Sequence, residues 1–338
     1  MSDLFTGFAG RVADALQEGL PLVERPYLVL AQFLGCAEAC VLEAAAGLVA
    51  AGAIRSFGAF VDYERLGYEG YLCGLAVPDS AVDAVAARLN DRGEVTHNYL
   101  REGTVNVWFT ALLQAGGACR LEAELRGMGH PFVLLRTVRR IKLRPCFRIS
   151  EEAETVCVEA PDEEFPPSPP GLSDVEIART LSLLQTDFPV EPRPFARMAD
   201  NLGIGVGELL ERLTLLKKVG ILRRIGASLH HIRAGYSFNA LLALGCGTPE
   251  AALAVGQALS RHPWLSHCYL RTVAANTLPR AWPYELYAMV HAKRADDLEE
   301  RLATAGSEPS LRRMLVLPTV RELKKSRYRP LCVGPRSR

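Results

Sequence analysis

The chain has 338 residues, enough for two or more domains with substantial cores. Apolar residues make up 49% and charged residues 23%, the balance of a globular chain rather than a disordered or collagen-like one. A formal charge of +1 offers no long-range attraction to nucleic acid or anionic lipid, so any acidic partner must be recognised by local clusters.

The N-terminal "MSDLFTGFAGR" lacks the basic start and continuous apolar stretch of a secretion signal. The most apolar run, "ACVLEAAAGLVAAGAI" from Ala39 to Ile54, is short, carries Glu43 and reads as a buried helix rather than a membrane span. A cytoplasmic location, with no membrane partner, is the default expectation. The nine cysteines form no C-x-x-C pair. Reduced, buried thiols are therefore expected, not a zinc or iron–sulfur site.

In chain order, "ERPYLVLAQFLG" and "CAEACVLEAAAGLVAAG" read as helices. "YEGYLCGLAV" reads as a strand, "AVDAVAARLN" as a helix, "EVTHNYLRE" and "VNVWFTALL" as strands, "CRLEAELRGM" as a helix and "FVLLRTV" as a strand. A stretch from Glu151 to Leu172 is acidic, proline-rich and free of basic residues, the composition of an extended linker. "SDVEIARTLSLL" then opens with a Ser/Asp cap signal, and "RPFARMADNLG" and "GVGELLERLTLLKKVG" each close on glycine. Strand "YSFNALLALGC", helix "PEAALAVGQALSRH", strands "WLSHCYLRTV" and "PYELYAMVHAK", helix "ADDLEERLATA" and strand "RMLVLPTV" complete the chain.

The two halves repeat one another, since "GAIRSFGAFVDYERLGY" (Gly52 to Tyr68) aligns without a gap on "GILRRIGASLHHIRAGY" (Gly220 to Tyr236). The expected fold is α+β, a tandem duplication of a helix-turn-helix module followed by a ferredoxin-like βαββαβ module. The expected boundaries are 1–55 and 56–150 for the first pair, 151–172 for the linker, and 173–224 and 225–330 for the second pair. Helices should cover one face of each antiparallel sheet and leave the other free for a partner or ligand.

The motif His-x-Tyr-x-Arg occurs twice, as His97, Tyr99 and Arg101 and as His267, Tyr269 and Arg271. On a strand each trio shares one face, and the small residues between, Thr96 and Ser266 among them, suit packing beneath helices. The trio is expected to look into the groove between halves. Its guanidinium can hold a carboxylate in a bidentate fork, and its imidazole and phenol can move a proton. The plain alternative is a structural row at an interface.

Further cations gather nearby. Arg55 precedes the first strand of one half, and Arg223 and Arg224 occupy that place in the other. "LLRTVRRIKLRPCFR" carries Arg136, Arg139, Arg140, Lys142, Arg144 and Arg148 with no acid, and "VRELKKSRYRP" is nearly as basic. Both runs directly follow a last expected strand. They suggest a small polyanionic ligand, against the alternative of solvated tails facing the acidic linker. His230 and His231 are candidate axial ligands of an iron or plain loop histidines. Trp108, Phe109, Tyr284 and Tyr287 could form an aromatic floor or belong to the core.

Helix-turn-helix followed by a ferredoxin-like domain resembles the Lrp/AsnC regulators. Yet the presumed first recognition helix, "CAEACVLEAAAGLVAAG", has two glutamates and neither Lys nor Arg, whereas a duplex demands neutralised phosphates. No DNA partner is expected. "VTHNYLREGTVNVWFTALL", "LSHCYLRTVAANTLPRAWPYELYAMVHAK", "TLSLLQTDFPVEPRPFARMADNLG" and "LRRIGASLHHIRAGY" resemble the siroheme decarboxylases, relatives of those regulators that usually work as two related subunits. The chain looks like both subunits fused, with the halves pairing internally.

That resemblance implies removal of carbon dioxide from two acetate side chains of siroheme, at C12 and C18. The product would be 12,18-didecarboxysiroheme, on a route to haem d1 or another haem. The macrocycle can accept the electrons that carbon dioxide leaves behind, so no added cofactor is implied; the iron tetrapyrrole is substrate. Arg101 and Arg271 would clamp carboxylates, assisted by Arg55, Arg223 and Arg224. His97 or His267, with Tyr99 or Tyr269, would donate the proton. The halves differ, which suggests one competent site. The alternative is a tetrapyrrole-responsive regulator with its helices on DNA.

Overall fold

The computed structural model describes residues 7–143, 171–185, 187–230 and 235–326. Its first half contains helices α1 (Gly7–Glu18), α2 (Pro26–Leu34) and α3 (Glu38–Ala50), then strands β1 (Ile54–Val61) and β2 (Tyr68–Leu75). Helix α4 (Val82–Asn90), strands β3 (Val95–Arg101) and β4 (Val107–Gln114), helix α5 (Gly117–Gly127) and strand β5 (Phe132–Leu143) follow. The second half repeats the order: α6 (Asp174–Leu184), α7 (Pro194–Leu202), α8 (Val206–Lys218), β6 (Leu222–Leu229) and β7 (Phe238–Gly245). It ends with α9 (Pro249–Ser260), β8 (Leu265–Asn276), β9 (Leu286–Ala292), α10 (Ala295–Gly306) and β10 (Arg313–Lys325).

These elements sort into two compact units, and each draws on both halves of the chain. Of the described residues, one gathers 7–66, 171–185, 187–230 and 235 and contains both helical modules. Helices α2 and α7 each begin with a proline, Pro26 or Pro194, whose missing N–H costs nothing in a first turn. They end on Gly35 and Gly203 in the left-handed conformation, as the sequence leads one to expect. The expected cap on α6 is a full capping box: the Ser173 hydroxyl accepts from the Glu176 amide, and the Glu176 carboxylate accepts from the Ser173 amide. Strands β1 and β6 pair antiparallel, with Gly58 opposite its own repeat equivalent Gly226, so a local two-fold axis passes there. A Cβ on Gly226 would meet the Leu16 carbonyl at 2.7 Å, which is how α1 lies so close to this sheet.

The second unit gathers the described residues 67–143 and 236–326. Each half contributes four strands in ferredoxin-like order, β3-β4-β2-β5 and β8-β9-β7-β10. The sheets are not open on one face. Edge strand β5 pairs with β8 and edge strand β10 with β3, closing an eight-stranded barrel β10-β3-β4-β2-β5-β8-β9-β7. Mutual pairing removes four exposed edges at once. The face expected to stay free is thus the barrel interior.

Apolar residues divide three ways accordingly. One cluster packs α4 and α5 on the first sheet and includes Leu89, Phe109, Leu121 and Phe132. A second packs α9 and α10 on the other and includes Val255, Leu259, Cys268 and Leu286. A third, with Leu72, Trp108, Leu135, Leu241, Tyr287 and Leu317, packs inside the barrel. Among the described cysteines, Cys73, Cys246 and Cys268 are buried, whereas Cys40 and Cys119 are exposed, contrary to expectation. Among the described residues no single helix is long and apolar enough to cross a membrane.

Barrel closure also moves the basic runs. The residues expected to follow the last strand of each half lie inside it, because β5 and β10 continue for as long as β8 and β3 supply partners. Arg136, Arg139, Arg140 and Lys142 are therefore strand residues. Arg55 likewise lies within β1, and Arg223 and Arg224 within β6, rather than before a strand.

Candidate active site

Strands β3 and β8 stand four places apart around an eight-membered ring, so they face each other across the barrel. Tyr99 pairs with Trp108 and Tyr269 with Tyr287, and both partners belong to the interior cluster. Both His-Tyr-Arg trios therefore look inward at one another. Their geometry is nearly the same. His97 and Tyr99 rings lie 6.4 Å apart at 27°, and His267 and Tyr269 rings 6.4 Å apart at 26°. The guanidinium of Arg101 sits 5.0 Å over the Tyr99 ring, and that of Arg271 sits 4.8 Å over Tyr269. In each row the imidazole and phenol are half-buried and the guanidinium is buried.

The bulges that interrupt β3 and β8 shape both rows. Each falls just before the histidine, between Val95 and His97 and between Leu265 and His267. A bulge re-aims one side chain, and here the re-aimed residues are Thr96 and Ser266. The expectation that they pack beneath helices fails on this point. The Thr96 hydroxyl lies 2.9 Å from His97 Nδ1, and the Ser266 hydroxyl 2.7 Å from His267 Nδ1. Strict alternation cannot foresee a bulge, although a hydroxyl residue before each histidine was a visible signal.

The arginines are anchored from neighbouring strands. Arg101 donates from Nη1 to the Leu317 carbonyl at 3.1 Å and to the Thr319 hydroxyl at 2.8 Å, and from Nη2 to Met289 Sδ at 3.8 Å. Its Nε has no hydrogen-bond partner among the described residues. Arg271 donates to the Thr137 hydroxyl at 2.8 Å, the same contact in the other half. Burial lowers Arg101 to about 10, with Tyr99 raising it; the group remains cationic at neutral pH. Burial also lowers His267 to about 4, helped by the positive charges of Lys325, Arg271 and Lys142. Its imidazole is thus neutral at pH 7.

The register sorts the basic run. Arg140 pairs with Tyr269 and shares its inward face, whereas Arg139 pairs with Leu270 and Lys142 with Cys268, facing the other way. Lys142 caps α9 by donating to the carbonyls of Ser260 and His262 at 2.9 and 2.8 Å. Lys324 does the same for α4 at Asn90 and Arg92. Arg136 pairs with Glu69 at 3.1 Å. The rows differ in the charge their outer neighbours bring: opposite Tyr269 stands Arg140, and opposite Tyr99 stands Glu322.

The aromatic residues interlock inside the barrel. Trp108 donates to the Val105 carbonyl at 2.8 Å and lies 5.8 Å from Trp282, which lies 5.1 Å from Tyr284. Trp282 donates to the Tyr287 hydroxyl at 2.5 Å. Trp108 and Tyr287 are fully buried. Phe109 points the other way, beneath the helices.

In the helical unit, Arg223 Nε lies 3.6 Å from the Asp62 carboxylate, and Arg224 stacks 3.9 Å over the Phe60 ring. Arg55 is half-buried in β1. The His230 amide donates to the Ala53 carbonyl at 2.9 Å. His231, Arg144 and Arg148 lie outside the described residues.

Comparison with known proteins gives this arrangement a class. A family model described as an AsnC-like ligand binding domain matches residues 65–125 and 233–324. A second, described as a siroheme decarboxylase NirDL-like HTH domain, matches residues 11–55 and 178–223. The protein is thus a duplicated member of the Lrp/AsnC-like fold class, with helix-turn-helix and ligand-binding modules in each half. A siroheme decarboxylase of Hydrogenobacter thermophilus is 33% identical over 325 residues, 94% of this chain and 93% of that protein. The crystal structure of the siroheme decarboxylase NirDL in co-complex with an iron-uroporphyrin III analogue superposes with a TM-score of 0.68 at 28% identity. It covers 95% of this chain and 93% of its own. A siroheme decarboxylase alpha subunit of Desulfovibrio desulfuricans is 36% identical over 145 residues, 42% of this chain and 84% of the subunit. The chain belongs to the siroheme decarboxylase family.

Proposed function

We propose that this protein is a carboxy-lyase that takes siroheme as substrate and removes carbon dioxide from its two acetate side chains at C12 and C18. The product is 12,18-didecarboxysiroheme, an intermediate for haem d1 or another haem. The observation that carries this reading is the pair of opposed His-Tyr-Arg rows inside one barrel, in a chain that matches siroheme decarboxylases over most of its length.

The chemistry asks for three things. The acetate must be held, water must be kept from the carbon as carbon dioxide leaves, and a proton must then reach that carbon. Arg271 and Arg140, inward-facing and beside Tyr269, supply cations for acidic side chains in a fork or as a pair. Arg101 supplies the same from the opposite wall, with its Nε as a remaining donor. Trp108, Tyr284 and Tyr287 form the apolar floor of the interior. His267 with Tyr269 is the proton-donating pair, and Glu322 opposite Tyr99 makes the first row the less welcoming one for a carboxylate. The macrocycle of the bound substrate accepts the electron pair released with carbon dioxide, so the protein's part is orientation and proton delivery. The two halves pair with each other as the separate subunits of relatives would, and the protein works in the cytoplasm.

Anaerobic incubation of the full chain with siroheme, followed by mass spectrometry, tests the reading. A mass loss equal to two carbon dioxide molecules is expected. Siroheme bound tightly and recovered unchanged would point instead to storage or delivery.

A further inference from the structure

The second row has a continuation that the first lacks. Ser266 Oγ lies 2.7 Å from His267 Nδ1 and 2.8 Å from His291 Nε2, so three side chains form one hydrogen-bonded line. All three sit where β8 and β9 pair, and Ser266 and His291 are both buried. In the first half the line stops at a second hydroxyl, Thr96 to Thr110 at 3.1 Å. The position equivalent to His291, set by the same backbone bond to the strand before it, is Leu112. Duplication therefore preserved the hydroxyl beside the imidazole in both halves but placed a second imidazole in only one.

We infer that Ser266 and His291 are a proton relay that recharges His267 through Nδ1 while its Nε2 serves the substrate, which makes the second row the reacting one. The inference rests on the decarboxylase reading and adds residues to it. The step balances as follows. The bond between the acetate methylene and its carboxylate breaks, carbon dioxide leaves, and the bonding pair stays with the carbon and macrocycle. That carbon takes the Nε2 proton of His267, whose N–H pair remains on the ring. Nδ1 takes the Ser266 hydroxyl proton, and Ser266 takes the Nε2 proton of His291. Each imidazole starts and ends neutral, with its proton moved to the other nitrogen. The proton entering at His291 Nδ1 comes from solvent, one per carbon dioxide released, and the line runs back when solvent protonates His267 Nε2 before the next loss.

A relay answers a specific difficulty. Burial and the charges of Lys325 from β10, Lys142 from β5 and Arg271 from β8 keep the His267 imidazole neutral at pH 7. A neutral imidazole that gives up its only N–H would become an anion unless another proton arrives at its far nitrogen. Ser266 is placed to deliver one. At the outer end the guanidinium of Arg301 of α10 donates to the His291 carbonyl.

The test uses the full chain with siroheme, following both carbon dioxide losses by mass in Ser266→Ala, Ser266→Thr, His291→Gln and His291→Leu. Ser266→Ala and His291→Gln are expected to lower kcat about 10- to 100-fold with KM and siroheme affinity unchanged. Ser266→Thr, which installs the hydroxyl residue of the first half, should stay within about threefold of the parent chain. The solvent isotope effect on kcat, which a chain of proton transfers enlarges, should shrink in His291→Gln. Unchanged kcat in both Ser266→Ala and His291→Gln would overturn the relay. So would parallel losses in kcat and affinity that Ser266→Thr does not rescue, since these mark a structural role. A parent chain that binds siroheme and never loses carbon dioxide would count against the decarboxylase reading itself.

Discussion

The buried guanidinium of Arg101 points its Nη2 at the sulfur of Met289, 3.8 Å away, and Met289 is the strand partner of His267. The deep end of one row thus touches the support of the other. Arg101 also holds Leu317 and Thr319 of β10, so its removal strips a buried, charged hub. Arg101→Gln is expected to lower unfolding free energy by about 2–3 kcal/mol, the scale of a lost charged hydrogen bond. Met289→Leu, close in volume, should cost less than about 1.5 kcal/mol. Urea denaturation of the three proteins checks this.

The exchange of Arg140 for Glu322 at equivalent positions makes a second prediction. Arg140 shares a face with Tyr269, and Glu322 with Tyr99. Arg140→Gln should raise KM for siroheme roughly 10- to 100-fold by removing a charge-assisted contact. Glu322→Gln should leave KM unchanged or lower it, because it removes a like charge. Initial rates over a siroheme series separate the two.

His267 also sets a pH dependence of stability. Its folded value is lowered to about 4 from an ordinary 6.5. Above pH 6.5 both the folded and unfolded chains hold it neutral, and its full contribution is present. Between pH 6.5 and 4 the unfolded chain takes up a proton that the folded chain refuses, so stability falls as pH falls. The contribution is at most about 3 kcal/mol. Unfolding measured between pH 7 and 4 should show a shallower acid slope for His267→Gln than for the parent chain.

Packing of the aromatic floor rests on one glycine. A Cβ on Gly74 of β2 would sit 2.8 Å from the Trp108 ring and 2.7 Å from Val105. The indole is pinned by its bond to the Val105 carbonyl, so it has little room to yield. Gly74→Ala should cost about 1–3 kcal/mol and shift the tryptophan fluorescence. An unchanged midpoint and spectrum would mean that the floor adapts.

Repetition and periodicity carried most of the fold. The order of helices and strands, the caps on Ser173, Gly35 and Gly203, and the inward alternation of both trios all follow from local pattern. Barrel closure did not, because it depends on pairing between edges far apart in sequence. That same pairing drew Arg136 to Lys142 into a strand and divided them between two faces. The histidine bulges were hidden for a related reason: one extra residue on β3 or β8 is visible only against its partner strand. His291 stood in a quoted motif, "YAMVH", but its contact with Ser266 emerged only when β9 brought the two together.

The account's central claim is that the second row performs the reaction inside the shared barrel. Single-turnover product masses for His97→Ala and His267→Ala, each with siroheme under anaerobic conditions, test it most directly. His267→Ala is expected to release neither carbon dioxide molecule at a measurable rate, while His97→Ala, slower than the parent chain, still completes both losses. Equal, partial losses of rate in the two variants, each with one carbon dioxide released, would contradict it.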